Sequence, residues 1–208
     1  MKNITKIVFF DVDGVILDSL EIGYQGTVSV FTYEGITPPS KHEYLTQFDA
    51  RTSSTFYYSR GVKMSKDEIW EHFLKYFDSH EHSLFEEVYD VLQSIKKSGI
   101  KMYFVTFGRS KSRVISAFKK HNIHDLFEGG GFGYERKDGY MIEVLKRLGI
   151  SNQNAVMVGD QPSDVIDAHR ANLRLRVAVA RDEVFRIKFD SHPYTHIIKN
   201  LKELPDIL

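Results

Sequence analysis

The stretch FFDVDGVILDS, residues 9–19, ends a run of aromatic and β-branched side chains in two carboxylates, Asp11 and Asp13, set two positions apart. Such a pair is either the polar stop of a buried strand, or a nucleophile and an acid/base held at a strand's end with a metal between them and the substrate. A carboxylate with a reference pKa of about 3.9 is ionised at neutral pH and attacks phosphorus without an activating base, giving an acyl phosphate that water then hydrolyses. A phosphate dianion repels that carboxylate, so the chemistry needs a hard cation bridging carboxylate and phosphate oxygens. Mg2+ suits the task, because it takes octahedral oxygen ligands and keeps several waters.

Other polar stations follow apolar runs further along. Thr106 closes the run in YFVTFGRS, Gly159 and Asp160 close the run in VMVGDQPSD with Asp164 four residues on, and Lys137 opens a helical pattern in YERKDGYMIEVLKRLG. In an open parallel sheet, ligands bind beyond the carboxyl ends of the strands. These stations are therefore expected to converge with Asp11 and Asp13 on one edge. Asp164 has a simpler explanation as well, since an acid in the first turn of a helix stabilises it. The glycine-rich GGGFG, 129–133, is followed by neither a helix start nor the Lys-Ser/Thr of a P-loop, and reads as a flexible approach to Lys137. His80 and His82 read as a solvated hinge.

The elements that position these residues follow from periodicity. Apolar runs at Ile7–Phe10, Met102–Val105, Ala155–Val158 and Leu175–Val179 read as buried strands. Residues 84–97 carry a helical stripe with a capping box from Ser83 and Glu86 and a stop at Gly99, and a second stripe runs from Met141 to Leu148 and closes at Gly149. Alternation of this kind argues an α/β fold, a Rossmann-like parallel sheet with helices on both faces. Residues 16–83 break the alternation and read as a small inserted helical domain, with helices near 17–34, 41–47, 51–60 and 66–79, Pro38 and Pro39 in a loop, and Gly61 ending a helix. The core is then 1–15 and 84–208. With 28 basic against 28 acidic residues the chain has no field to hold nucleic acid or an anionic membrane, and without cysteine it has no disulfide, thiol nucleophile or Cys-based zinc site. No apolar stretch approaches a membrane span, and charge comes too early for a signal peptide, so a cytoplasmic location is expected.

Taken in order and spacing, these residues match the four motifs of the haloacid dehalogenase superfamily of phosphohydrolases, and the insert resembles the helical cap of its phosphoglycolate phosphatase and β-phosphoglucomutase branch. The resemblance covers almost the whole chain, and its most specific part is Asp-x-Asp-Gly-Val-x-x-Asp-Ser at residues 11–19. It implies Asp11 as nucleophile and Asp13 as general acid/base. It further implies Thr106, Phe107, Gly108 and Lys137 around the phosphate, and Mg2+ held by Asp11, Asp13, Asp160 and Asp164. Many family members have Lys-Pro where this chain has Lys137-Asp138-Gly139, with Arg136 adjacent, and Lys137 is preferred for the role. The implied reaction is hydrolysis of a small phosphorylated metabolite through an aspartyl phosphate.

One alternative is a sugar phosphomutase, but mutases of this branch carry a cap histidine where this chain has Gly23. Another is a non-catalytic phospho-ligand-binding protein, against which the retained like charges argue. In the mutases a cap loop resembles Gly-x-x-Arg, whose arginine holds a second anionic group of the substrate. Within QFDARTSST, 47–55, Phe48 stands at the glycine and Arg51 at the arginine, so Arg51 is expected to fork onto a second substrate anion. Gly23 and Gly26 lie inside a predicted helix at about 1 kcal/mol each relative to alanine, a cost that room for a ligand would explain.

Overall fold

A computed structural model describes residues 5–208. Strand β1 (Ile7–Phe10) is buried throughout and is followed by a two-residue strand, β2 (Leu17–Asp18). Four helices come next: α1 (Leu20–Tyr33), α2 (Lys41–Gln47), α3 (Ser53–Tyr58, after a 3-10 turn at Ala50–Thr52) and α4 (Lys66–Phe77). The chain returns through β3 (Ser83–Leu84), which pairs antiparallel with β2, so departure and return of the insert lie side by side. Then follow α5 (Val88–Lys97), β4 (Lys101–Val105), α6 (Lys111–Lys120), β5 (Gly129–Gly131), α7 (Lys137–Leu148) and β6 (Ala155–Gly159). The last elements are α8 (Pro162–Arg170), β7 (Leu175–Val179), α9 (Glu183–Ile187) and β8 (His196–Ile198).

The main sheet has six strands in the order β5-β4-β1-β6-β7-β8, and every pairing in it is parallel. This is the expected α/β architecture. Side-chain alternation along β1 divides the core: Val8 and Phe10 pack with α5 and α6 residues such as Leu92 and Val114, whereas Ile7 and Phe9 pack with Met141 and Val144 of α7. From β1 the chain proceeds to β4 and β5 on one side, then returns to build β6, β7 and β8 on the other. The crevice between the carboxyl ends of β1 and β6 is thus the topological switch point, where such sheets bind ligands.

Local chemistry sets the helix ends. Reciprocal capping boxes start α2 (Ser40 with Glu43) and α4 (Ser65 with Glu68), and left-handed Gly149 ends α7. Helices α1 and α4 approach closely because position 26 has no side chain: a Cβ there would lie 3.0 Å from Phe73 Cε2. One at position 23 would lie 2.7 Å from the Tyr44 hydroxyl. The two glycines accommodate protein rings, which accounts for their helical cost without a ligand.

Several local expectations are corrected. GGGFG is not a flexible approach: Gly129–Gly131 is edge strand β5, which periodicity could not reveal because glycine has no side chain to alternate. The short β8 was not anticipated either. Ser83 does not cap a helix but pairs with Asp18 in β3–β2, and α5 begins only at Val88 behind Glu87. His82 is not solvated. It is 3 % exposed, with Nε2 2.9 Å from the Phe77 carbonyl oxygen, and burial lowers its pKa.

Gly130 is required by the ring on the neighbouring strand, because a Cβ there would sit 1.9 Å from Phe104 Cζ. Gly130→Ala is expected to destabilise the fold by about 2 kcal/mol or more through overpacking, lowering the melting temperature by roughly 4–8 °C. Gly139→Ala, in α7 with nothing within 4 Å of the new Cβ, is expected to raise it slightly. Thermal unfolding of the two variants checks the contrast.

Candidate active site

Asp11 is the first residue beyond β1, and its N–H donates to Val158 of β6, which seats it in the switch-point crevice. Its Oδ1 accepts from Val12 N–H at 2.8 Å and lies 2.8 Å from Lys137 Nζ. Lys137 opens α7 and is 4 % exposed; its Nζ also donates to Asp164 Oδ1 at 2.6 Å, and its backbone N–H to Asp167 Oδ2 at 2.8 Å. Arg136 points elsewhere, to Asp138, with a side chain that is 62 % exposed. Thr106, 2 % exposed beyond β4, accepts from Gly108 N–H at 3.0 Å and lines one cavity with Phe107 and Gly108.

Asp160 is the first residue beyond β6, and Asp164 lies in the first turn of α8. Asp11, Asp160 and Asp164 are all buried, and each offers a carboxylate oxygen within 4.8 Å of the others. This approach is open because two neighbours are glycine. A Cβ on Gly14, whose φ is +80°, would lie 2.3 Å from Asp160 Oδ2, and one on Gly159 would lie 2.3 Å from Asp164.

Electrostatics follow from that crowding. Burial pushes the Asp11 carboxyl well above the usual carboxylate range; Lys137 opposes the rise, and Asp164 and Asp160 add to it. Burial, reinforced by Asp164, pushes Asp160 up to about 7, and burial raises Asp164 against the pull of Lys137. Burial works against the Lys137 ammonium, yet Asp11 and Asp164 outweigh it and leave its pKa raised. Asp160 Oδ1 is buried without a hydrogen-bond partner. Three buried carboxylates facing one ammonium, with one oxygen unpaired, fit a divalent cation bound by oxygen.

Some of the surroundings were not anticipated. Arg113 of α6 grips Asp13 with two bonds, 2.9 Å to Oδ1 and 2.7 Å to Oδ2, while its Nε lies 3.3 Å from Asp78, the residue closing α4. Lys188, just past α9, donates to the Phe48 carbonyl at 2.7 Å and lies 3.4 Å from Gln161 Oε1; burial pulls it down to about 8. Neither belongs to a local pattern, since both reach the site only through packing. Gly23 lines the cavity beneath the Tyr44 hydroxyl. Arg51 does not line the cavity: its guanidinium bonds the fully buried Asp167 of α8.

The chain belongs to the haloacid dehalogenase-like hydrolase family, whose model matches residues 8–179, and it is therefore a hydrolase. It is 28% identical over 178 residues to PpaX of Caldanaerobacter subterraneus subsp. tengcongensis, a protein that carries the name pyrophosphatase, covering 80% of this chain and 78% of that protein. It is 22% identical over 193 residues to the phosphoglycolate phosphatase of Aquifex aeolicus, covering 84% of each. Among solved structures, the haloacid dehalogenase-like family protein SP0104 from Streptococcus pneumoniae superposes with a TM-score of 0.79 at 20% identity, over 100% of this chain and 99% of that one, which establishes the shared fold. Among the described residues no helix is long and apolar enough to cross a membrane.

The carboxylate crowding predicts a pH-dependent stability. The folded pKa of Asp160, about 7, exceeds the unfolded value of about 3.9. Between those values the folded chain binds more protons than the unfolded one, so stability falls as pH rises across the window. In chelator, wild type is expected to melt progressively lower than Asp160→Asn as pH rises from 5 to 7.5, by roughly 2–4 °C for each kcal/mol of repulsion removed. Added Mg2+ should raise wild-type melting at pH 7.5 and raise that of Asp160→Asn much less. Parallel melting curves for the two proteins across this range would remove the repulsion argument.

Proposed function

We propose that the protein is a Mg2+-dependent phosphatase that hydrolyses a small phosphate monoester through an aspartyl phosphate on Asp11. The observation that carries this reading is the convergence of Asp11, Asp160 and Asp164 at the switch point beside Asp13 and Thr106, with Lys137 bridging Asp11 and Asp164. Mg2+ held by Asp11, Asp160, Asp164 and the Asp13 carbonyl would neutralise the repulsion between nucleophile and phosphate. An Asp11 oxygen attacks phosphorus and the bond from phosphorus to the leaving oxygen breaks. Asp13 delivers the proton to that oxygen, then takes one from the water that attacks the aspartyl phosphate, and the second displacement frees Asp11 and inorganic phosphate.

Lys137, Thr106 and the N–H groups of the 106–108 loop are suited to the equatorial oxygens, where charge grows in the transition state. A carboxyl oxygen that carries a proton cannot accept from a guanidinium along the same direction, so Asp13 releases one Arg113 bond when it acts as the acid. In this reading residues 16–83 are a cap that closes the cavity over the core, with the paired strands β2 and β3 at its base. The phosphomutase alternative is disfavoured because, among the described residues, no histidine lines the cavity and the Tyr44 hydroxyl fills the space above Gly23.

Asp11→Asn is expected to lower kcat for p-nitrophenyl phosphate by at least a thousandfold, about 4 kcal/mol in the barrier, while keeping the melting profile of a folded protein. Residual turnover within tenfold of wild type would exclude Asp11 as the nucleophile. Asp13→Asn should lose much more rate on alkyl phosphates than on aryl phosphates, whose leaving groups need less protonation. Equal losses would remove the acid role.

A further inference from the structure

The space in front of Asp11 is walled by rings. Its cavity, of about 130 Å³, is lined on the insert side by Tyr44, Phe48, Trp70, Phe73 and Phe77, and on the core side by Phe107. The rings brace one another: Tyr44 and Phe48 stack with centroids 4.7 Å apart, Phe73 and Phe77 stack at 5.2 Å, and Trp70 meets Phe73 at 5.4 Å and Phe107 at 5.5 Å. A wall of mutually packed aromatic side chains is rigid and favours offset or edge contact with another ring.

The charges nearby leave little for a second anion on the substrate. Arg113, 8 % exposed, is committed to Asp13 and Asp78 and lies against the Phe77 ring at 4.8 Å. Arg51 is held by Asp167, and the Lys188 ammonium by the Phe48 carbonyl. The remaining arginine on the lining, Arg109, is exposed at the rim. A carboxylate or second phosphate set against these rings would lose its hydration, which is costly, and the cation left to meet it on the lining is the exposed Arg109.

We propose that the leaving group carries a single aromatic ring, so that the substrate class is the phosphate monoester of a monocyclic aryl or arylmethyl alcohol, held against the wall formed by Trp70, Phe73 and Phe107. Size sets an upper bound: an engineered apolar cavity of about 150 Å³ in another protein accepts benzene alone, so a space of about 130 Å³ that must also take the phosphoryl group accommodates no more than one ring, and the fused ring and sugar of a nucleotide exceed it. The inference rests on the phosphatase reading and deepens it. It departs from the names carried by the two sequence relatives, whose pyrophosphate and phosphoglycolate are small, multiply charged and free of apolar surface.

The test uses the full chain with Mg2+ and four substrates: benzyl phosphate, ethyl phosphate, 2-phosphoglycolate and pyrophosphate. Benzyl and ethyl phosphate both release a primary alkoxide, so their ratio reports the ring. Benzyl phosphate is expected to exceed ethyl phosphate at least thirtyfold in kcat/KM and to exceed both charged substrates. Trp70→Ala should lower the benzyl value at least tenfold more than the ethyl value, chiefly through KM, and Trp70→Phe should restore most of the difference. Trp70 is the single tryptophan of the chain, so binding can be read without turnover. Benzylphosphonate should change the fluorescence of the Asp11→Asn protein saturably, and methylphosphonate should leave it nearly unchanged. Turnover with no ring preference, or with phosphoglycolate or pyrophosphate preferred, overturns this inference and leaves the phosphatase reading standing. Absence of turnover on every ester removes both.

Discussion

Lys137 places one buried ammonium between Asp11 and Asp164, and Asp160 remains beside them with an oxygen that no protein donor reaches. Three carboxylates and one cation in a desolvated crevice leave net negative charge where burial already disfavours it, which is why all three carboxyl groups are pushed upward. The rest of the core is arranged to sustain this. β1 and β6 are hydrogen-bonded neighbours, so the residues following them emerge side by side, and α7 and α8 start at the same edge and deliver Lys137 and Asp164. Glycine at 14 and at 159 removes the side chains that would collide with Asp160 and Asp164. A structure that accepts this repulsion gains a crevice whose charge favours a cation.

The insert is joined to that charged crevice by polar links at its margins and by apolar packing between them. Arg51 reaches Asp167, the Phe48 carbonyl accepts from Lys188, and Asp78 meets Arg113, so three cations attach the helices to the sheet. Asp167 serves twice, because the oxygen that receives Arg51 also receives the backbone N–H of Lys137. The position of the insert and that of the buried lysine are therefore set by the same carboxylate. Between these links the aromatic cluster of the insert continues into Val165, Phe185 and Phe189 of the core. Polar chemistry comes from the sheet edge and the apolar wall comes mostly from the insert, a division that allows one reaction to be combined with different leaving groups.

The apolar runs at β1, β4, β6 and β7, and the helical stripes between them, were enough to predict a parallel sheet, because burial on both faces demands continuous apolar strands and covering helices. The positions of Asp11, Thr106 and Asp160 were legible because each is the first polar group after an apolar run, those of Lys137 and Asp164 because each lies in the first turn of a helix at that edge, and that of Asp13 from its spacing to Asp11. Tertiary structure alone decided the partners that come from afar. Arg113 and Lys188 carry no local signature, and Arg51 exchanged an expected substrate anion for Asp167, 116 positions away. The glycine strand β5 was invisible to periodicity, since its position depends on the Phe104 ring lying over Gly130. Periodicity reports which side of an element faces the core, whereas a charged side chain takes whichever opposite charge packing brings within reach, and only the folded chain determines that distance.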